Sequence, residues 1–201
     1  MYPLNLSIGV GRWQVFSGRR ADPAFFPLRD KVLKRDGHTC QFCGFQAQEY
    51  QEIVNLDGDY RNHQFKNLAT ACVFCTQSLF LEAVGTTFGG GKLIYLPEMT
   101  QSALNSLCHV LFCAMTNKTD YMDTAQTAYR NLRLRSQAVE EKFGTNTSDP
   151  EVFCQLILNN SVEVDQKKLF EEIKLLPSYA RFKEQLEAWA QAAIEELSQG
   201  E

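Results

Sequence analysis

Two C-x-x-C pairs, Cys40-Gln-Phe-Cys43 and Cys72-Val-Phe-Cys75, constrain this chain more than any other feature it has. A two-residue gap lets both sulfurs of a pair reach one ion from opposite sides of a tight turn, at about 2.3 Å for zinc, and two pairs complete a tetrahedron. Gly44 follows the first pair and can take the left-handed conformation that closes such a knuckle. The second pair opens a helix-like run, Phe74 to Ala83, whose first amides favour negative thiolates. Four buried free thiols are the bland alternative, since cysteine is among the most buried residue types. Two correctly spaced pairs favour one structural Zn2+ on Cys40, Cys43, Cys72 and Cys75. A set of four thiolates leaves no open position for water, so the expected metal is structural, and neither a catalytic residue nor an organic cofactor is expected. Structural zinc contributes about 10–16 kcal/mol of apparent binding free energy in small modules. An ordinary domain has only about 5–15 kcal/mol of total stability, so the segment 38–83 is expected to depend on its metal. Cys108, Cys113 and Cys154 have no such partner and sit in helical patterns, where they read as small buried apolar side chains.

The 201 residues are 44% apolar and 22% charged, which excludes disorder and collagen-like structure. The longest mostly apolar stretch, Leu104 to Met115, is too short and too polar to span a bilayer. No basic leader precedes an apolar run in residues 1–15, so the expected location is the cytoplasm, where paired cysteines point to metal before disulfide. The net charge of −4 is uneven: residues 1–37 carry +4 and residues 151–201 carry −5. A nucleic-acid binder that wraps its ligand would be basic throughout. Gly89-Gly90-Gly91-Lys92 lacks the flanking spacing of a phosphate-binding loop and reads as a hinge-like break.

Hydrophobic periodicity orders the rest. Leu4, Leu6, Ile8 and Val10 alternate with polar or small residues and predict an N-terminal strand or two over residues 2–16. The aromatic segment Trp13 to Phe26 reads equally as a docking site or as an arm packed on the core. Leu28 to Asp36 predicts a short helix ended by Gly37, with Val32 and Leu33 inward. Residues 45–68 predict a polar hairpin region turning at Asp57-Gly58, and Lys92 to Leu96 a short strand. From residue 100 the period becomes helical. One helix buries Leu104, Cys108, Leu111 and Phe112, and a longer one runs from Ala125 to Phe143 with Arg130, Arg133 and Arg135 on a solvated face. Ser148 and Glu151 predict a capping box for a helix through Phe153. Asp165 predicts the cap of a helix carrying Leu169, Phe170, Ile173 and Leu176, and a last stripe runs from Tyr179 through Phe182, Leu186 and Trp189 to Leu197.

The run from Arg29 to Gly44, with Val32-Leu33, Arg35-Asp36-Gly37 and Cys40-x-x-Cys43-Gly44, resembles the opening of HNH endonuclease domains. Asp57-Gly58-Asp59, Asn67-Leu68 and the second cysteine pair follow in that family's order, so the likeness covers roughly residues 28–80. The resemblance implies a catalytic metal-binding histidine and a general-base histidine just before the aspartate-glycine turn. Val54 and Asn55 stand there instead. Valine cannot bind a metal, and an amide has no proton that titrates near neutrality. His63 lies past the turn as the one histidine left to a displaced catalytic role, while His38 and His109 read as ordinary residues. The scaffold is expected and its chemistry is not. The implied fold class is α+β, an HNH/treble-clef-like zinc-binding core with short strands followed by a helical C-terminal half. Residues 1–90 would carry the strands and the four-cysteine module, and residues 91–201 a helical region packed on it as one compact unit.

The whole chain is similar to the small soluble subunits of the Dot/Icm type IVB secretion system, in its length, its Tyr2-Pro3-Leu4 and Trp13 segments, its zinc core and its helical second half. That resemblance implies an adaptor in the coupling complex. Its partners would be the C-terminal tail of the coupling ATPase and other coupling-complex subunits, with a role in effector recruitment. It would lie in the cytoplasm, peripheral at the inner membrane and attached only through partners, with no nucleic acid bound. The competing readings are a nucleic-acid-binding zinc module using the basic N-terminal face and a weak HNH nuclease using His63.

Overall fold

The computed structural model describes residues 1–159 and 165–199, and the side chain of Leu197 lies outside the described residues. The N-terminal strands are not formed. Residues 1–9 have no ladder partner among the described residues, and a helix, α1 (Arg12–Ala21), follows. The alternation is real but serves two cores, for Leu4 packs in the main hydrophobic cluster while Leu6 and Ile8 pack in a second one. Single hydrogen bonds tie the arm down: Tyr2 N to Gln41 O (2.8 Å), Ser7 N to Ser78 O (3.0 Å) and Leu81 N to Ser7 O (3.1 Å). An arm whose amides pair one at a time has the same sequence pattern as a strand. In α1, Phe16 and Arg19 are the buried residues, three apart as a helix requires. Trp13 packs on Phe16, Phe80 and Phe88, and Phe16 and Phe25 are buried, so these aromatics of the segment pack on the core while Phe26 is exposed.

Helix α2 (Phe26–Arg35) forms as its pattern predicts. Pro27 sits in its first turn, and Gly37 follows with φ 58°. Val32 and Leu33 cluster with Phe25, Ile53 and Leu68. The next unit is a hairpin, β1 (Gln51–Asn55) antiparallel to β2 (Leu68–Cys72), with Gln51 opposite Cys72 and Asn55 opposite Leu68. It is not a polar surface hairpin, because every residue of both strands is buried. Helix α3 (Val73–Leu79) leaves β2 without a loop.

A second antiparallel pair joins β3 (Gly91–Tyr95) to β4 (Ile173–Pro177), Gly91 opposite Pro177. Here the prediction of a helix through Ile173 and Leu176 fails. Helix α8 (Gln166–Glu172) does start at Asp165, whose Oδ1 accepts from Lys168 N at 3.2 Å. It ends where Lys174 Nζ donates to the carbonyls of Phe170 and Glu171, and Ile173 turns extended to pair with a strand some eighty residues earlier. The glycine run is likewise no hinge. A Cβ on Gly91 would collide with the Leu176 carbonyl across the pair, and Gly89 lies against Gln77 and Phe182.

Helix α4 (Gln101–Thr116) is capped by Thr100, whose Oγ1 accepts from Ala103 N at 3.2 Å, and buries the predicted stripe. Cys108 and Cys154 are buried as expected, whereas Cys113, one step round the helix from buried Phe112, is exposed. The single long helix is two, α5 (Met122–Leu134) and α6 (Ser136–Phe143). They break at Arg135, whose carbonyl accepts the edge amide Tyr95 N of β3 at 3.2 Å. Helix α7 (Pro150–Asn159) is capped by Asp149, whose Oδ1 accepts from Glu151 N at 3.0 Å, not by Ser148, which is buried against Glu140. Helix α9 (Lys183–Gln199) closes the described chain. The main cluster runs from Leu4 and Phe16 through Phe74 and Phe80 to Phe112, Phe182 and Leu186, so both halves of the chain share it.

Candidate metal centre

Cys40 and Cys43 occupy a tight turn. Gly44 has φ 80° and its amide donates to Cys40 O at 3.0 Å, while Cys40 N donates back to Phe45 O at 2.8 Å. Cys72 is the last residue of β2 and the residue before α3, and Cys75 lies in the first turn of that helix. The ββα succession therefore delivers the second pair to the knuckle. All four sulfurs lie within 4.8 Å of one another, and Cys43 Sγ is 3.6 Å from Cys72 Sγ. A tetrahedral ion with sulfur at about 2.3 Å needs sulfurs about 3.8 Å apart, so the cage has the size for zinc. Cys40, Cys72 and Cys75 are buried and Cys43 is partly exposed.

The electrostatics agree with that size. Burial pushes the Cys72 and Cys75 thiols up, while the neighbouring thiols, which can donate to Cys40, pull it down. Four thiolates cannot share so small a buried volume without a cation to balance them. Outside the cage, burial pushes Cys108 above the ordinary thiol range and Cys154 up to about 12, so both stay as thiols.

Two groups on α4 face the cage. Asn105 Nδ2 donates to Cys75 Sγ at 3.3 Å, and His109 Nε2 lies 3.3 Å from Cys72 Sγ. The imidazole is stacked between Phe45, 3.6 Å between ring centroids, and Phe74, 4.3 Å. Burial holds it down to about 3, so the ring is neutral near pH 7. His109 is thus not the ordinary helix residue its sequence position implied. The signal available was spacing: Gln101, Asn105 and His109 recur every fourth residue, a polar row beside the apolar stripe of the helix.

The position expected to have lost catalytic groups is built for structure. Val54 is fully buried in the main cluster. Asn55 Oδ1 accepts from Arg19 Nη1, and its Nδ2 donates to Asp59 O (2.8 Å) and Asn62 O (2.6 Å). Arg19, buried from α1, also donates to Ile53 O at 2.5 Å, and its guanidinium lies 4.5 Å from the centre of the Phe25 ring. Burial lowers Arg19 to about 10, which leaves it charged at neutral pH. His63 is exposed beside Phe25, 5.4 Å between ring centroids.

The class these observations define is a helix-rich α+β protein with a largely buried four-thiol cage able to hold one ion. No family model matches the chain. It is 54% identical over 198 residues to the type 4 apparatus protein DotN of Legionella pneumophila, covering 97% of this chain and 92% of that protein. The chain belongs to the DotN family of type IV secretion apparatus proteins, the Dot/Icm family that the whole-chain resemblance indicated. No helix among the described residues is long and apolar enough to cross a membrane.

Proposed function

We propose that this chain is a zinc-stabilised, non-catalytic adaptor of the Dot/Icm coupling complex. It binds the C-terminal tail of the coupling ATPase and other coupling-complex subunits, supports effector recruitment, and lies at the inner membrane only through those partners. Membership of an apparatus family over nearly the whole chain supports the assignment to secretion. The observation that carries the non-catalytic part is Asn55. Its amide spends both ends on Arg19 and on two loop carbonyls, in the place where an HNH-like scaffold would hold its base. Cys40, Cys43, Cys72 and Cys75 form a closed set that suits a structural ion.

Much of the N-terminal positive charge is already committed, which weakens the nucleic-acid reading. Arg19 is buried, Arg20 pairs with Glu52 at 2.8 Å, and Arg35 pairs with Asp36 at 2.8 Å. The test is to mix the full-length protein with the purified ATPase tail, and separately with duplex DNA, across a salt series. Tail binding is expected to survive about 0.5 M salt, where the Debye length is only a few ångströms. Tight, salt-sensitive DNA binding without tail binding would replace the adaptor reading with a nucleic-acid module.

A further inference from the structure

Gln101, Asn105 and His109 are 2%, 0% and 7% exposed, on a helix face otherwise apolar. Buried polar groups cost stability unless they are bonded, so the row needs a purpose. Its hydrogen bonds have a direction set by the backbone. Leu175 N of β4 donates to Gln101 Oε1 at 2.8 Å, and Leu175 O accepts from Gln101 Nε2 at 2.8 Å. A peptide group cannot exchange these roles, so the Gln101 amide has one orientation. Its remaining Nε2 hydrogen goes to Asn105 Oδ1 at 2.9 Å. Asn105 must then present Nδ2, a donor, to Cys75 Sγ. His109 Nδ1 is buried without a hydrogen-bond partner among the described residues, while Nε2 lies 3.3 Å from Cys72 Sγ, so Nε2 is the ring nitrogen placed to donate to that sulfur.

We propose that Asn105 and His109 are the outer donors to the metal thiolates, and that the relay from Leu175 through Gln101 makes metal retention depend on the docking of α4 and β4. The inference rests on the reading of the four cysteines as the metal ligands. Each N–H···S contact draws charge from a sulfur that shares an ion with three others. By linkage, a metal held tighter by the helical half in turn holds that half in place.

The experiment uses the full-length protein with cobalt(II) as the probe. Sulfur-to-cobalt charge transfer reports the charge on the thiolates, and a competing chelator reports metal release. Asn105→Leu removes one donor. His109→Phe removes the other but keeps an aromatic ring between Phe45 and Phe74. Both are expected to shift the charge-transfer band and to weaken metal affinity by about 10–100-fold, the usual effect of losing a group that supports a ligand. His109→Gln, which can offer an N–H, is expected to restore most of both. Folded variants with an unshifted band and affinity within about twofold of the parent would overturn the proposal while leaving the metal reading intact. A parent protein that binds no cobalt would overturn both. Hydrogen exchange on the parent gives a check free of any variant. Metal removal is expected to deprotect α4 and β4 together with 38–83, and deprotection confined to 38–83 would also overturn the proposal.

Discussion

At Asn55 one amide joins three segments: the strand that carries it, the loop at Asp59 and Asn62, and α1 through Arg19. Histidines placed at 54 and 55 would have to displace a buried side chain and break those bonds. Val54→His with Asn55→His is therefore expected to give no cleavage of DNA with magnesium, manganese or nickel. Asn55→His alone is expected to lower stability in urea by about 1–3 kcal/mol, the cost of leaving buried partners unmet. Metal-dependent cleavage by the double variant would show that the site can still accept a ligand and a base, and cleavage by the parent protein that is lost in His63→Ala would revive the nuclease reading. Glu52 gives a second residue-scale prediction. It is 6% exposed, and burial raises its carboxyl above the ordinary range despite Arg20, Arg29 and Arg19 nearby. A raised folded value means its contribution is fully present below the unfolded value and is lost as pH rises through the folded one. Glu52→Gln is therefore expected to match the parent in urea midpoint near about pH 4 and to exceed it near about pH 8. The opposite order would show that the Arg20 pair outweighs burial.

The elements divide according to where their partners lie. Helices α2 and α4 were legible because an amphipathic stripe is local, as is the glycine that ends α2. Strand β4 was not, because Ile173, Leu175 and Leu176 are all buried and fit either period, and β3 decides between them from far along the chain. The break at Arg135 has the same origin, a strand-edge amide supplied by Tyr95. This makes glycine substitutions informative. Gly91→Ala puts a methyl into the Leu176 carbonyl and is expected to cost about 1–3 kcal/mol. Gly18→Ala, inside α1 with open space around it, is expected to stabilise by about 0.5–1 kcal/mol. Urea unfolding of the two variants checks both signs, and a neutral Gly91→Ala would mean that β3 and β4 pair less closely than their register indicates.

Across the whole molecule, the main cluster and the thiol cage draw on the same elements. Phe74 of α3, one residue from Cys75 and two from Cys72, packs against Phe112 of α4, Trp189 of α9 and Phe182 just before α9. Loss of about 10–16 kcal/mol of metal binding would match or exceed the stability of an ordinary domain. A strong chelator is therefore expected to abolish cooperative thermal unfolding, and Cys72→Ser to leave the protein insoluble or metal-free. The check is calorimetry beside elemental analysis. Freshly purified protein with no zinc and an unchanged transition would end the structural-metal reading.

Local chemistry alone determined the cage residues, the hairpin turn at Asp57-Gly58, the α2 and α4 stripes and the absence of histidine at 54 and 55. Each of these rests on residue type and spacing within a few turns of chain. Only the tertiary structure decided that the N-terminal arm has no ladder partner among the described residues, that β4 is a strand, and that Asn105 and His109 reach Cys75 and Cys72. The physical reason is the same in every case. A backbone amide, a buried amide side chain or an imidazole takes whatever partner the packed chain brings within about 3 Å, and the partners of Asn105, His109 and Gln101 lie 30, 37 and 74 residues away.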